Sequence, residues 1–372
     1  MTYPSKKLLE VCSVRTGKRD ANHGDLGGPY PFFTCAEKPI QSPTYSFDGD
    51  SIILPGNGAN VGLVIFYSGK FEAYQRTYVL SEFNCNSRYA YHHLRCFWAR
   101  ANSSSQFGSA TNYIRMGNFE DYKLPIPPLE DQRRIADILD RADLLRTKRQ
   151  AALTQLESLT QSLFLDLFGD PATSSEQWPA CTLGDVLTAI RNGVNAGQRT
   201  EPSGWPITRI ETIWNGTIDL ERVRWIEPDD SLIENFQLHA GDILFSHINS
   251  VEHIGKVALY SGDPERLIHG INLLRLRPKL DLVDPIWLLH LLKNDAVRTV
   301  FRTRCKRAVN QASLNQPDIK SLAISLPPLA LQQDFARRVR AVEHLQAKHN
   351  ASLVEMDALF ATLQHDAFNG EL

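Results

Sequence analysis

Leu124–Asp140, LPIPPLEDQRRIADILD, is followed two hundred positions later by Ser325–Ala341, SLPPLALQQDFARRVRA. Pro127-Pro128-Leu129 returns as Pro327-Pro328-Leu329 and Gln132 as Gln332, all at one offset, which is the mark of an internal repeat. From Glu130 to Phe168 there is no Pro or Gly, and Leu, Ala, Arg, Gln and Asp predominate, so one continuous helix is expected. The tandem prolines set its entry, and Gly169-Asp170-Pro171 stops it. At ~1.5 Å per residue such a helix is nearly 60 Å long. The second copy runs from about Ala330 to Phe368 and stops at Asn369-Gly370.

Each helix carries an apolar stripe. Ile135, Leu139, Ala142, Leu145, Leu153, Leu156, Leu159 and Leu163 are matched by Phe335, Val339, Val342, Leu345, Leu353, Met356, Leu359 and Leu363. Neither stripe is stable in water alone, so the expectation is that the helices pair as an antiparallel coiled coil, with polar Arg149 and His349 near the middle of the seam. The simpler reading is two separate amphipathic helices, each covering its own domain. Their length argues against it, because helices in globular domains average ~11–12 residues.

The segments around the helices, roughly 1–125 and 171–325, have short β-rich runs punctuated by Gly, Asn and Pro, and read as mixed α/β (α+β) domains. They resemble each other weakly. Gly49-Asp50 and Tyr67-Ser68-Gly69 bracket one unit as Gly241-Asp242 and Tyr260-Ser261-Gly262 bracket another, and GPYPFFTCAE (Gly28–Glu37) is similar to SGWPITRIET (Ser203–Thr212). The expected order is domain, long helix, domain, long helix, with an approximate internal twofold, a geometry suited to a duplex with two half-sites.

Composition limits the alternatives. The 372 residues suffice for two or three domains, and no apolar run approaches the ~20 residues of a membrane helix, so a soluble cytoplasmic protein is expected. Six scattered cysteines suggest neither a disulfide framework nor a zinc ribbon. Net charge is −2, so any contact with a polyanion has to come from local clusters.

The proline-led helix PPLEDQRRIADILDRADLLRTKRQAALTQLESLTQSLFLDLFGDP (Pro127–Pro171), the second PPLALQQ (Pro327–Gln333) and the terminal DAFNGEL (Asp366–Leu372) resemble the specificity subunit of type I restriction–modification systems. The resemblance implies two target-recognition domains, at 1–125 and 171–325, each reading half of a bipartite DNA site. It implies that the long helices, 126–170 and 326–372, set the spacer and dock two methyltransferase subunits, with restriction (translocase) subunits joining them in defence against foreign DNA. By the same resemblance the chain is no enzyme and holds no cofactor; S-adenosylmethionine, ATP and Mg belong to the partners.

DNA-contact candidates follow from chemistry. Guanidinium groups suit phosphates and guanine edges, whereas Asn and Gln suit adenine. In the second domain Arg298, Arg302, Arg304, Lys306 and Arg307 precede Asn310-Gln311, and the corresponding place in the first offers Gln106, Asn112, Tyr113 and Arg115. Early loops add Arg15, Lys18 and Arg19 in one copy and Arg191, Asn192, Asn195, Gln198 and Arg199 in the other. Asn57 and Asn60, and His247 and Asn249, complete the set. Most such side chains on any protein are ordinary solvated loop residues, so the clusters carry more weight than their members.

Rival chemistry is poorly supported. Cys85, His92, His93 and Cys96 match no common zinc spacing, and their aromatic neighbours suggest a core strand. Gly56, Gly58 and Gly62 precede LVIFY rather than a helix, so they form a turn and not a dinucleotide loop. Asp121-Tyr-Lys123 and Asp318-Ile-Lys320 supply only part of a nuclease motif. The alternative to DNA recognition is a coiled-coil scaffold whose α/β domains bind proteins.

Overall fold

The computed structural model describes residues 3–25, 27–103, 112–171, 177–214, 216–308 and 311–372. The chain divides into two compact units, Met1–Ala151 with His349–Leu372, and Ala152–Lys348. Each long helix, Leu129–Phe168 and Leu329–Asn369, contributes to both. Gly169 and Gly370 follow the helix ends at φ 75° and 77°, the left-handed conformation that ends a helix without a Cβ clash.

In the first unit a four-stranded antiparallel sheet has the order Ser13–Thr16, Thr77–Ser81, Asp50–Pro55, Ile65–Ser68. A three-stranded sheet places Tyr30–Phe33 between Ile40–Ser42 and Glu72–Ala73, with the pairing of Phe32 to Glu72 parallel. Ser5–Lys7 pairs with Lys123–Pro125 and closes the domain beside the start of the long helix.

The second unit repeats this plan. Its four-stranded sheet runs Leu187–Asn192, Leu273–Pro278, Ile243–Ser246, Val257–Leu259, and its three-stranded sheet centres on Trp205–Thr208, with Ile207 parallel to Ile268. Ala180–Thr182 pairs with Ala323–Ser325. The weak sequence match between the domains is therefore a true topological repeat. Gly49 and Gly241, at φ 96° and 92°, and Gly69 and Gly262, at 124° and 103°, occupy equivalent corners where a side chain would be strained.

The stretch Cys85–Cys96, expected as a core strand, instead enters a helix, Ser87–Ala101. Buried Ala90, Leu94 and Trp98 recur every four residues, and Asn86 caps the helix by accepting the Tyr89 N–H at 2.9 Å. This helix lies between the sheet residues Ile52, Leu54 and Leu80 and the long-helix residues Ile135, Ala136 and Leu139 in one apolar cluster, which Phe360 and Ala367 also join. In the second unit Trp287, Leu288 and Leu292 of helix Pro285–Lys293 take the same place, packed with Phe335, Ala336 and Val339.

The long helices meet inside each unit. In the first, Arg134 Nη2 donates to the Leu372 carbonyl at 2.8 Å and Arg146 Nε to Asp357 Oδ1 at 2.6 Å, so the contacts advance along one helix as they retreat along the other: the pairing is antiparallel. In the second, Phe164 and Phe168 pack edge-on against Phe335, with centroids 5.6 and 5.5 Å apart.

The expected stripe needs correction at four positions. Leu145, Leu159, Leu345 and Leu359 are 55, 41, 44 and 57% exposed. Two successive steps of three residues, from 139 to 142 to 145, rotate about 120° off the seam, whereas alternating steps of four and three stay on it. That alternation passes through Arg146, Thr160, Gln346 and Phe360, all half-buried or buried. Arg146 fits there because its guanidinium lies 4.5 Å from the Phe360 ring centroid while its head pairs with Asp357. Ile135, Leu139, Leu153, Phe335, Val339 and Val342 are buried; Ala142, Leu156, Leu163, Leu353, Met356 and Leu363 are half-buried. Arg149 and His349 are half-buried as well.

Candidate nucleic-acid interface

In the second unit, strand Gln311–Ser313 pairs on one side with Lys306–Ala308 and on the other with Ile248–Asn249. This small sheet gathers most of the second domain's candidates. Lys306, Arg307 and Gln311 are exposed along it. Helix Asp295–Arg304 leads into it, and Arg298 and Arg302 both donate to the Glu252 carbonyl, at 3.3 and 3.4 Å, tying the helix to the turn beyond Asn249. Burial lowers the Arg298 pKa, with Arg302 adding to the effect. Arg304 turns to the Asp318 carbonyl and Ser321 Oγ, at 3.3 and 3.4 Å.

The histidine and asparagine of SHINS serve the interior of this edge. His247 is buried, and its carbonyl accepts the Leu314 N–H at 2.9 Å. Burial pushes its imidazole pKa down to about 4, partly offset by the Asn272 backbone, so the ring is neutral near pH 7. Asn249 is satisfied locally: Nδ2 donates to Ser246 Oγ and Oδ1 accepts the Ser250 N–H. Asn192 spans outward, its Nδ2 lying 3.4 Å from His247 Nε2 while its Oδ1 accepts from Gln316 Nε2 at 2.7 Å. Gln316 carries one signal in the sequence, the pattern Asn315-Gln316-Pro317, an N-cap followed by a helix-starting proline.

The other early-loop residues are more scattered. Arg191 donates to the Asn235 carbonyl at 3.0 Å, and Arg199 bridges the backbone of Trp225. Asn195 and Gln198 are exposed on the same loop.

The first unit has a matching junction. Asn57 bridges Tyr113, the Gly58 N–H bonds to the Asn112 carbonyl at 2.9 Å, and the Ile114 N–H bonds to the Gly56 carbonyl at 3.0 Å. Arg115 Nη2 donates to Tyr113 Oη at 2.7 Å. Asn60 is committed to the Cys35 carbonyl, Arg19 to buried Glu72 at 3.4 Å, and Arg15 to Glu82 at 2.9 Å; Lys18 is exposed. Gln106 and Asn310 lie outside the described residues.

The Cys85–Cys96 histidines have structural employment. His92 Nε2 lies 2.7 Å from Asp140 Oδ1, on a carboxylate that also takes Arg88, and His93 Nδ1 accepts from Tyr122 Oη at 3.0 Å. Burial pushes the His93 pKa down to about 3. Among the described residues no helix is long and apolar enough to cross a membrane, and all six thiols are free.

Two domains of one topology thus each present a polar edge and each pack on paired long helices. A model of the type I restriction modification DNA specificity domain matches residues 2–156 and 175–355. A putative type I restriction enzyme MjaX specificity subunit of Methanocaldococcus jannaschii is 47% identical over 171 residues, which are 46% of this chain and 40% of that relative. The type I restriction enzyme EcoDI specificity subunit of Escherichia coli is 25% identical over 411 residues, covering 100% of this chain and 88% of the relative. A solved type I restriction-modification S subunit from M. genitalium shares the fold, with a TM-score of 0.67 at 14% identity, over 99% of this chain and 96% of that one. Duplicated architecture and family match agree: this chain belongs to the type I restriction-modification DNA specificity family, whose role is sequence recognition rather than catalysis.

Proposed function

We propose that residues 1–125 and 171–325 are target-recognition domains that each read one half of a bipartite duplex site, while the long helices fix the spacer and dock two methyltransferase subunits. The observation that carries this reading is the repeat itself: the same four- and three-stranded sheets occur twice, and Asn57 bridges Tyr113 in one as Ile248-Asn249 pairs with strand Gln311–Ser313 in the other. Exposed Leu144, Leu145, Leu159, Leu345, Val354 and Leu359 supply apolar area on the helices for partner subunits. Restriction (translocase) subunits complete the assembly in the cytoplasm, and S-adenosylmethionine, ATP and Mg enter with the partners. A protein-binding scaffold leaves the amide- and cation-rich edge of the second domain without a role.

The test is domain exchange. Replacing residues 171–325 with the equivalent domain of a relative, in the complex with its methyltransferase, should change one half-site in a map of methylated adenines and leave the other intact. A simultaneous change in both halves would argue for a single composite reading surface, and methyl transfer by the purified chain alone would overturn its non-catalytic role.

A further inference from the structure

We infer that Gln316 is a base-reading residue of the second domain, that its target is the major-groove edge of an adenine, and that Asn192 and His247 hold its amide in the orientation this requires. The inference rests on the DNA-recognition reading above and deepens it to one side chain.

Three observations converge on Gln316. Its backbone is fixed, because Asn315 and Asp318 form a reciprocal cap: Asn315 Oδ1 accepts the Asp318 N–H at 2.8 Å and Asp318 Oδ2 accepts the Asn315 N–H at 3.1 Å. Its side chain is fixed as well, since one N–H of Nε2 is donated to Asn192 Oδ1. Asn192 is itself braced, because its Nδ2 lies 3.4 Å from the Nε2 of buried, neutral His247. A hydrogen-bonded chain therefore links Gln316 through Asn192 to the buried His247 ring.

What remains free on Gln316 is a second N–H and Oε1, neither of which has a partner among the described residues. A primary amide offering one donor and one acceptor matches the N7 acceptor and N6 donor of adenine, and no other base edge in the major groove presents that pair in the same geometry. The position suits the task. Gln316 lies three residues beyond Ser313, which pairs with Lys306 on one side and Ile248 on the other, so the strand leading to it runs beside exposed Lys306 and Arg307, cations suited to the phosphate backbone. A solvated surface glutamine has no need of a support that reaches into the domain interior. A base reader does, because an amide free to flip would accept adenine and its mismatches alike.

The experiment uses the whole chain assembled with its methyltransferase partner and duplexes carrying each base pair in turn through the mapped half-site. Gln316→Ala should reduce discrimination at one A·T pair by ~5–150-fold, the range of a lost bidentate contact, and leave the remaining positions unchanged. Gln316→Glu, which can only accept, should move the preference at that pair from adenine towards cytosine, whose N4 amine donates. Replacing that adenine with 7-deazaadenine should weaken the natural complex and leave the Gln316→Ala complex unaffected, a readout that does not depend on the variant's stability. Asn192→Ala should relax the same position to a smaller degree. If Gln316→Ala weakens all sequences equally, or leaves the specificity profile intact, the inference falls while the DNA-recognition reading stands. If the natural complex shows no sequence preference at all, the reading itself falls.

Discussion

Gln132 and Gln332 are the residues the repeat keeps most plainly, and both are buried. Gln132 Oε1 accepts the N–H of Asn86, the cap of the domain helix, at 2.8 Å, while its Nε2 donates to the Pro127 carbonyl at 2.8 Å. Gln332 does the same with Asp284 at 2.9 Å and Pro327 at 2.8 Å. One amide thus clasps the proline turn, the long helix and the domain helix together. Gln132→Ala or Gln332→Ala leaves a buried N–H and a buried carbonyl unpaired, so each should cost about 1–3 kcal/mol per stranded group, read as a lower denaturant midpoint. Gln332→Glu should not rescue, because its second carboxylate oxygen would face the Pro327 carbonyl; a stability equal to the natural protein would show that the clasp is dispensable. Asp242 offers a second residue-scale case. Its buried carboxylate takes Arg277 through Nε and Nη2 at 2.7 and 2.8 Å, so Arg277→Met should destabilise by about 3–5 kcal/mol, the cost of stranding a buried charge.

At the scale of elements, the small sheet Lys306–Ala308, Gln311–Ser313 and Ile248–Asn249 separates two kinds of cation. Arg298, Arg302 and Arg304 are engaged with backbone carbonyls, and their neighbours in strand Lys306–Ala308 are exposed. Neutralising Lys306 and Arg307 together should therefore flatten the dependence of DNA affinity on salt, each lost phosphate contact removing ~0.9 from the slope, with folding preserved. An unchanged slope in a salt titration would place this strand away from the duplex. Arg304→Ala should act mainly on stability instead, since that side chain braces helix Gln316–Lys320. The long helices depend on their domains in the same way: Phe335 is fully buried among Phe164, Phe168 and helix Pro285–Lys293, and Phe335→Ala should cost about 3–5 kcal/mol.

For the molecule as a whole, the proposal that paired helices set the spacer makes a demand on length. Deleting Leu153–Leu159 together with Leu353–Leu359 removes one heptad from each helix and keeps the alternation of four- and three-residue steps in phase. At ~1.5 Å per residue the pair shortens by about 10 Å, which at ~3.4 Å per base pair is about three base pairs. The same bases should be methylated in each half-site, with a spacer shorter by that amount. Binding should also weaken unless the duplex twists, because the shift rotates one half-site by roughly a quarter turn or more. An assembled deletion variant that still methylates across the original spacer would remove the ruler from the mechanism and leave the helices with partner docking alone.

The sequence by itself determined the two long helices, to within a residue at each end, and the duplication of the domains. It did so because helix propensity, a proline entry and a glycine stop act locally, and because a repeat is visible whatever its fold. Only tertiary structure decided which residues face inward. Leu145 and Arg146 are adjacent on one helix, and nothing local says that the arginine belongs on the seam; Asp357 and Phe360 of the other helix decide it. Cys85–Cys96 has the aromatic content of a strand, and becomes a helix because Asn86 caps it and both the sheet and the long helix need its buried face. His247 is buried and the Asn249 amide is bonded to Ser246, whereas Gln316 is bonded to Asn192, a residue 124 positions away in sequence. Burial and hydrogen-bond partners of that kind are created by chain segments meeting in space, and no window of sequence contains both halves of the contact.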